Sequence, residues 1–134
     1  KQGLDLSTST TSQTVAYYAC RDGLIERHAP RLRALYRERR DAMLAALKRE
    51  MPPGVRWTHP QGGMFLWLTL PDGWNSTQLL DHAIELGVAF VPGEPFHPCG
   101  GGTNTMRLNF SYSSATQIAE GVRRLAAAIQ GLAQ

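Results

Sequence analysis

The chain has 134 residues, of which 43% are hydrophobic and 19% charged, and its formal net charge is +3. This length suits one compact domain with a real core, and the composition is typical of a globular protein rather than a disordered one. No apolar run approaches the length of a membrane span and the sequence does not open like a signal peptide, so we expect no membrane association.

The first predicted element is a helix. A hydroxyl-rich stretch near the start offers several N-caps for a helix that runs to about Arg21, where Asp22-Gly23 ends it. Pro30 fits the first turn of a second and much longer helix. This helix is predicted to run to about Met51, because Pro52-Pro53-Gly54 stops it.

Six arginines fall within or beside the long helix and raise a nucleic-acid hypothesis. They are Arg27, Arg31, Arg33, Arg37, Arg39 and Arg40. Apolar residues recur at near-helical spacing through the same stretch, and Glu38 and Asp41 interleave negative charge. No helix-turn-helix, zinc-finger or aromatic RNA-binding signature accompanies them. The pattern favours an amphipathic helix with a solvated basic face, and nucleic-acid binding is the minor alternative.

Strands and helices alternate in the rest of the chain. Strands near Val55 to Thr58 and from Met64 to Leu70 are predicted to be joined as a hairpin or by a bulged connection. Ser76 is the predicted cap of a helix that Gly87 ends, before a short strand from Val88 to Val91.

The last helix begins with a capping-box pattern at Ser114 and Gln117. Its apolar stripe consists of Ile118, Val122, Leu125 and Ile129. Together these elements predict an α+β fold, in which helices pack on a small, mostly antiparallel sheet.

Arg107 is the strongest candidate for a ligand-binding residue. It lies in an otherwise apolar segment, residues 105–112, where alternation places Met106, Leu108 and Phe110 on one face and Arg107 on the other. A planar guanidinium among small polar groups suits two-pronged binding of a carboxylate or phosphate. The alternative from this segment alone is a surface arginine in a structural salt bridge.

The cysteines and glycines suggest no metal or nucleophile site. Cys99 and His97 lie in a loop with a glycine run, but two ligands are too few for zinc and no acid follows to orient the histidine. Cys20 is distant in sequence and forms no redox pair with Cys99. We therefore expect neither a metal site nor a catalytic residue in this loop. The two unpaired cysteines also suggest that the protein is located in a reducing compartment, the cytoplasm.

Three segments occur in an order that carries a family resemblance: residues 61–68, which begin Gln61-Gly62-Gly63; residues 87–96, which contain Val91-Pro92-Gly93; and the Arg107 strand. Together they resemble the C-terminal small domain of the class I/II, fold-type I, pyridoxal-phosphate-dependent aminotransferases. Within that family they are similar to the branch of 2-aminoadipate, kynurenine and related broad-specificity transaminases. The resemblance covers essentially the whole chain.

The resemblance implies substrate-binding roles for three residues. Arg107 is similar to the arginine that binds the substrate α-carboxylate and orients the substrate over the cofactor. Gly62 and Gly63 would open a strand near the mouth of the active site. Val91-Pro92-Gly93 would belong to a loop that closes over the substrate. Each glycine motif taken singly is also an ordinary turn signal.

The family holds its cofactor, pyridoxal phosphate, as a Schiff base on a lysine of a larger domain. This chain contains only Lys1 and Lys48, and Lys48 lies in a charged helical run where a solvated side chain is expected. A complete transaminase would be several times larger. We therefore expect a substrate-recognition domain without bound cofactor, which is inactive on its own.

The expected organisation is a connector helix over residues 1–22, leading from the missing large domain, and the small domain over residues 23–134. By the resemblance the parent is a homodimer that transfers an amino group from an amino acid to a 2-oxo acid. The donor amino acid is not specified by this sequence. The alternatives are the aminotransferase-like domain of a transcription regulator and a non-catalytic interaction module.

Overall fold

The computed structural model describes residues 7–132, and these contain four α-helices and four β-strands. The helices are α1 (Thr10–Arg21), α2 (Leu24–Glu50), α3 (Ser76–Glu85) and α4 (Ala115–Leu132). The strands are β1 (Arg56–Trp57), β2 (Phe65–Thr69), β3 (Val91–Pro92) and β4 (Thr105–Asn109). A short 3₁₀ turn, Glu94–Phe96, follows β3. None of the helices within residues 7–132 is long and apolar enough to cross a membrane.

The described residues form two compact units, of which the first ends at Ala34 and the second begins at Leu35. In the first unit, every residue of α1 is exposed, and Gly23 separates the helices with a φ of 72°. The predicted break at Asp22-Gly23 is therefore confirmed. Pro30 was expected in the first turn of α2 but lies inside the helix, because α2 begins earlier, at Leu24.

The second unit contains the sheet, whose strand order is β1-β2-β4-β3 with every pairing antiparallel. Both outer strands are two residues long. The predicted hairpin of β1 and β2 is confirmed by the pairing of Arg56 with Thr69. The strand predicted from Val88 to Val91 is displaced and covers Val91–Pro92.

The hydrophobic core lies on one side of the sheet and is covered by helices. Met106 and Leu68 are fully buried there, as the alternation of their strands predicts. The helices contribute further buried residues to the same cluster, namely Met43 and Leu47 from α2, Leu79 and Ala83 from α3, and Ile118, Val122, Leu125 and Ile129 from α4. The α+β fold and the apolar stripe of the last helix are thus both confirmed.

Helix caps explain two boundaries. Asn75, rather than the predicted Ser76, caps α3: its side-chain oxygen accepts hydrogen bonds from the backbone N–H groups of Thr77 and Gln78 at 2.9 and 3.2 Å. Ser76 is instead the first helical residue and is fully buried. The capping box of α4 is confirmed, because Ser114 and Gln117 each accept a hydrogen bond from the backbone N–H of the other.

Candidate functional site

Arg107 lies in the middle of the sheet, on the face turned away from the core. Its neighbours Met106 and Leu108 are buried on the opposite face. In register it is flanked by Trp67 of β2 on one side and by Val91 of β3 on the other. Three strands therefore fix the position of the Arg107 backbone, and the side chain emerges from a rigid support.

Two phenylalanine rings contact the guanidinium of Arg107. The guanidinium carbon lies 4.2 Å from the centre of the Phe65 ring and 4.8 Å from that of Phe96. Both distances are within the range of cation–π interactions. The ring of Trp67 meets that of Phe96 edge to face, at 5.4 Å between ring centres. We call Phe65, Trp67 and Phe96 the aromatic cluster.

Arg107 has no anionic partner among residues 7–132. Its Nε atom is buried without a hydrogen-bond partner in this part of the chain, and no carboxylate forms an ion pair with the side chain. Other arginines do pair with acids, among them Arg40 with Asp41 at 2.6 Å. Within residues 7–132, Arg107 therefore forms no structural salt bridge. Because Nε itself is buried, a ligand could reach only the terminal N–H groups of the guanidinium, and such groups suit a carboxylate or a phosphate.

A cavity of about 270 Å³ adjoins the guanidinium. It is lined by Phe65, Ala89, Phe90, Val91, Arg107 and Asn109. The wall is mainly apolar, and Arg107 is its one charged residue within the described part of the chain. A concave apolar wall with a single directional cation suits a small molecule that carries a carboxylate.

The two glycines predicted to bind substrate lie in the turn that leads into β2. Gly62 and Gly63 are exposed, and Gly63 has a φ of 81°, a conformation that favours glycine. The guanidinium of Arg40 anchors the preceding loop by hydrogen bonds to the carbonyl oxygens of Pro60 and Gln61, at 3.4 and 3.3 Å. The turn therefore has a defined structural role, while substrate binding by the two glycines stays a prediction.

Val91-Pro92-Gly93, expected in a loop that closes over the substrate, is paired to the sheet in this structure. Val91 and Pro92 form the edge strand β3, and the N–H of Gly93 donates to the carbonyl oxygen of Thr105 at 2.8 Å. Gly93 is buried, and the 3₁₀ turn that follows it carries Phe96 to the Arg107 side chain. This segment is thus paired to the sheet and positions one of the two phenylalanines.

The remaining candidates form no second site. Cys20 and Cys99 are exposed free thiols, and no group of three metal-ligating residues occurs among residues 7–132. Lys48 is exposed on α2, whose buried residues pack on the sheet face opposite Arg107. Lys48 is the one lysine among residues 7–132, and it forms no contact with Arg107 or the aromatic cluster in this part of the chain.

The contacts of Phe65 and Phe96 with Arg107 were not predicted from the sequence. Phe65 and Phe96 both occur in segments quoted for the resemblance, and Phe65 shares a sheet face with Trp67 by simple alternation. This alternation could have placed Phe65 on the same face of the sheet as Arg107. Phe96 lies outside a strand, and no periodicity could place it against Arg107.

Comparisons with known proteins identify the family and the fold of this chain. Residues 4–125 match the family Aminotransferase class I and II. The aromatic-amino-acid aminotransferase 1 of Thermococcus litoralis is 48% identical over 130 residues, which are 97% of this chain and 31% of that protein. Two crystal structures share the fold with a TM-score of 0.87 each.

The first of these is an α-aminoadipate aminotransferase from Thermus thermophilus in complex with N-(5'-phosphopyridoxyl)-L-leucine, 48% identical over 98% of this chain and 34% of that one. The second is a kynurenine aminotransferase from Pyrococcus horikoshii, 49% identical over 99% of this chain and 33% of that one. The chain spans about a third of the length of these relatives. It therefore belongs to the class I and II aminotransferases, and its fold is that of their small domain.

Proposed function

We propose that this chain is the substrate-recognition domain of a pyridoxal-phosphate-dependent aminotransferase, which transfers an amino group from an amino acid to a 2-oxo acid. The observation that carries the proposal is the Arg107 guanidinium, which is rigidly placed, contacts an aromatic cluster and has no anion within the described residues. The cofactor would supply the chemistry of amino transfer from a site outside this chain. The isolated chain would then be inactive.

In this proposal Arg107 binds the α-carboxylate of the substrate. Charge-assisted hydrogen bonds from the guanidinium fix two carboxylate oxygens at once, so they define the orientation of the substrate as well as its affinity. The adjoining cavity is lined mainly by apolar residues, which would lower the local dielectric around this pair and strengthen it. Gly62 and Gly63, at the entrance to β2, would form part of the surrounding substrate-binding wall.

The test is Arg107→Lys in the protein encoded by the complete reading frame. Loss of the two-pronged contact should raise the KM for both the amino acid and the 2-oxo acid by about 10- to 150-fold, since hydrogen bonds to charged groups are worth ~1.5–3 kcal/mol. Arg56→Lys is the matched control, because Arg56 is an exposed arginine on the outer strand β1. Equal KM values for the Arg107→Lys and Arg56→Lys proteins would refute the proposal.

Absorbance spectroscopy tests the location of the cofactor. Pyridoxal phosphate should give a saturable visible absorption band with the complete protein and none with this chain. A stoichiometric band in this chain, removed by changing Lys1 or Lys48, would place the cofactor lysine here instead. Cofactor binding by the complete protein without any transamination would favour the transcription-regulator alternative.

We also propose that residues 1–22 connect to the large domain and that the complete protein is a cytoplasmic homodimer. Support for the compartment comes from the two exposed free thiols, Cys20 and Cys99. Every residue of α1 is exposed, including Val15, Tyr17 and Tyr18, as a connector helix packed on a larger body would be in isolation. Sedimentation of the complete protein tests the dimer.

A further inference from the structure

We propose that Phe65 and Phe96 are positioning residues for carboxylate binding: their rings orient the Arg107 guanidinium and leave its terminal N–H groups free for the substrate. This inference rests on the proposed function of Arg107. The guanidinium carbon is 4.2 Å and 4.8 Å from the two ring centres, and within residues 7–132 the Arg107 side chain forms no hydrogen bond or ion pair with another side chain.

Phenylalanine suits this task better than an acidic side chain. The face of an aromatic ring attracts a cation through its quadrupole, yet it accepts no strong hydrogen bond in the plane of the guanidinium. An aspartate or glutamate would hold Arg107 equally well, but it would occupy the N–H groups that must bind the substrate carboxylate. The two rings therefore restrict the long side chain without neutralising it.

The two rings are held from separate parts of the fold. Phe65 is on β2 and is placed by the pairing of that strand with β4. Phe96 ends the 3₁₀ turn after β3, and its N–H donates to the carbonyl oxygen of Gly93 at 2.9 Å. Trp67 supports Phe96 from the side, edge to face. The orientation of Arg107 therefore depends also on the 3₁₀ turn, which precedes β4 in the chain.

The experiment compares a carboxylate with its uncharged amide. Calorimetry measures the binding of 3-phenylpropanoate and 3-phenylpropanamide to the complete protein and to four variants, Phe65→Leu, Phe65→Tyr, Phe96→Leu and Phe96→Tyr. Each leucine variant should bind the carboxylate about 5- to 30-fold more weakly, as expected for the loss of one cation–π contact, and the tyrosine variants should retain affinity. Binding of the amide should weaken less than binding of the carboxylate, because the amide does not need an oriented cation and can lose only a packing contact with Phe65 in the cavity wall.

Tyr112→Leu is the control, since Tyr112 is 90% exposed and contacts no ring of the aromatic cluster in the described structure. Equal weakening of acid and amide by the leucine variants would show a merely structural role and overturn the inference. If Arg107→Lys weakens carboxylate binding while the phenylalanine variants do not, the inference fails and the proposed function stands. If Arg107→Lys also has no effect, the proposed function itself fails.

Phe96 is 45% exposed, so its truncation leaves the core intact and keeps the test valid even if Phe65→Leu does not fold.

Discussion

Gly93→Ala should destabilise the second unit strongly, although Gly93 has an ordinary φ of −81°. The cost is steric: a Cβ at this position would lie 2.9 Å from the carbonyl oxygen of Thr105 and would overlap its Oγ1. The same carbonyl accepts the Gly93 N–H hydrogen bond, so relief of the clash separates β3 from β4. Overpacking costs about 1–3 kcal/mol and a lost hydrogen bond about 0.5–1.5 kcal/mol, so we expect about 2–4 kcal/mol in total.

Urea denaturation followed by tryptophan fluorescence measures this change in the free energy of unfolding. Gly62→Ala is the matched control, because a Cβ at Gly62 would meet no atom of the described residues within 4 Å. Its effect should stay within about 0.5 kcal/mol. The double variant Gly93→Ala/Thr105→Ala removes the Oγ1 overlap and should recover part of the loss. A Gly93→Ala protein as stable as the Gly62→Ala protein would refute the steric argument.

Three further predictions concern stability. Two arginines of α4 donate hydrogen bonds to Glu120 and lower its pKa from the usual 4.5 to about 2. The ionised Glu120 therefore stabilises the folded protein above pH 4.5, and this stabilisation is lost as the pH falls from 4.5 towards 2. In an acid titration, the Glu120→Gln variant should lose less folding stability over this pH range than the unchanged protein. In thermal denaturation, Asn75→Ala should destabilise the protein by about 0.5–2 kcal/mol, because the variant loses the α3 cap. Ser76→Ala should be neutral or stabilising, because the buried Ser76 Oγ has no hydrogen-bond partner among residues 7–132. Leu68→Ala, at a fully buried strand position, should lose about 2–5 kcal/mol in urea titration; a loss below about 1 kcal/mol would contradict the assigned core.

Strand alternation predicted the setting of Arg107 well. Because side chains of a strand point to opposite faces in turn, the apolar character of Met106 and Leu108 was sufficient to place Arg107 away from the core. Periodicity also identified the apolar stripe of α4, since its four predicted residues recur at helical spacing. Both patterns are local and repeat, which is why sequence alone reveals them.

Helix ends and long-range contacts were harder to predict. The α2 start at Leu24 places Pro30 within the helix, where a proline is unfavourable, so local propensity indicated a later start than the structure has. Asn75 and Ser76 are both good caps, and only the buried position of Ser76 decides between them. Phe96 reaches Arg107 through a turn and a two-residue strand, a contact that no local pattern encodes.

The short outer strands of the sheet affect how this domain can meet other proteins. A long exposed strand edge offers a row of free backbone N–H and C=O groups and can recruit a strand from another chain. Here β1 and β3 offer two residues each, and β3 ends at Pro92, which has no N–H to donate. The described sheet is thus a poor template for intermolecular β-pairing, and contacts with other chains would instead be made through side chains on the faces of the sheet and helices.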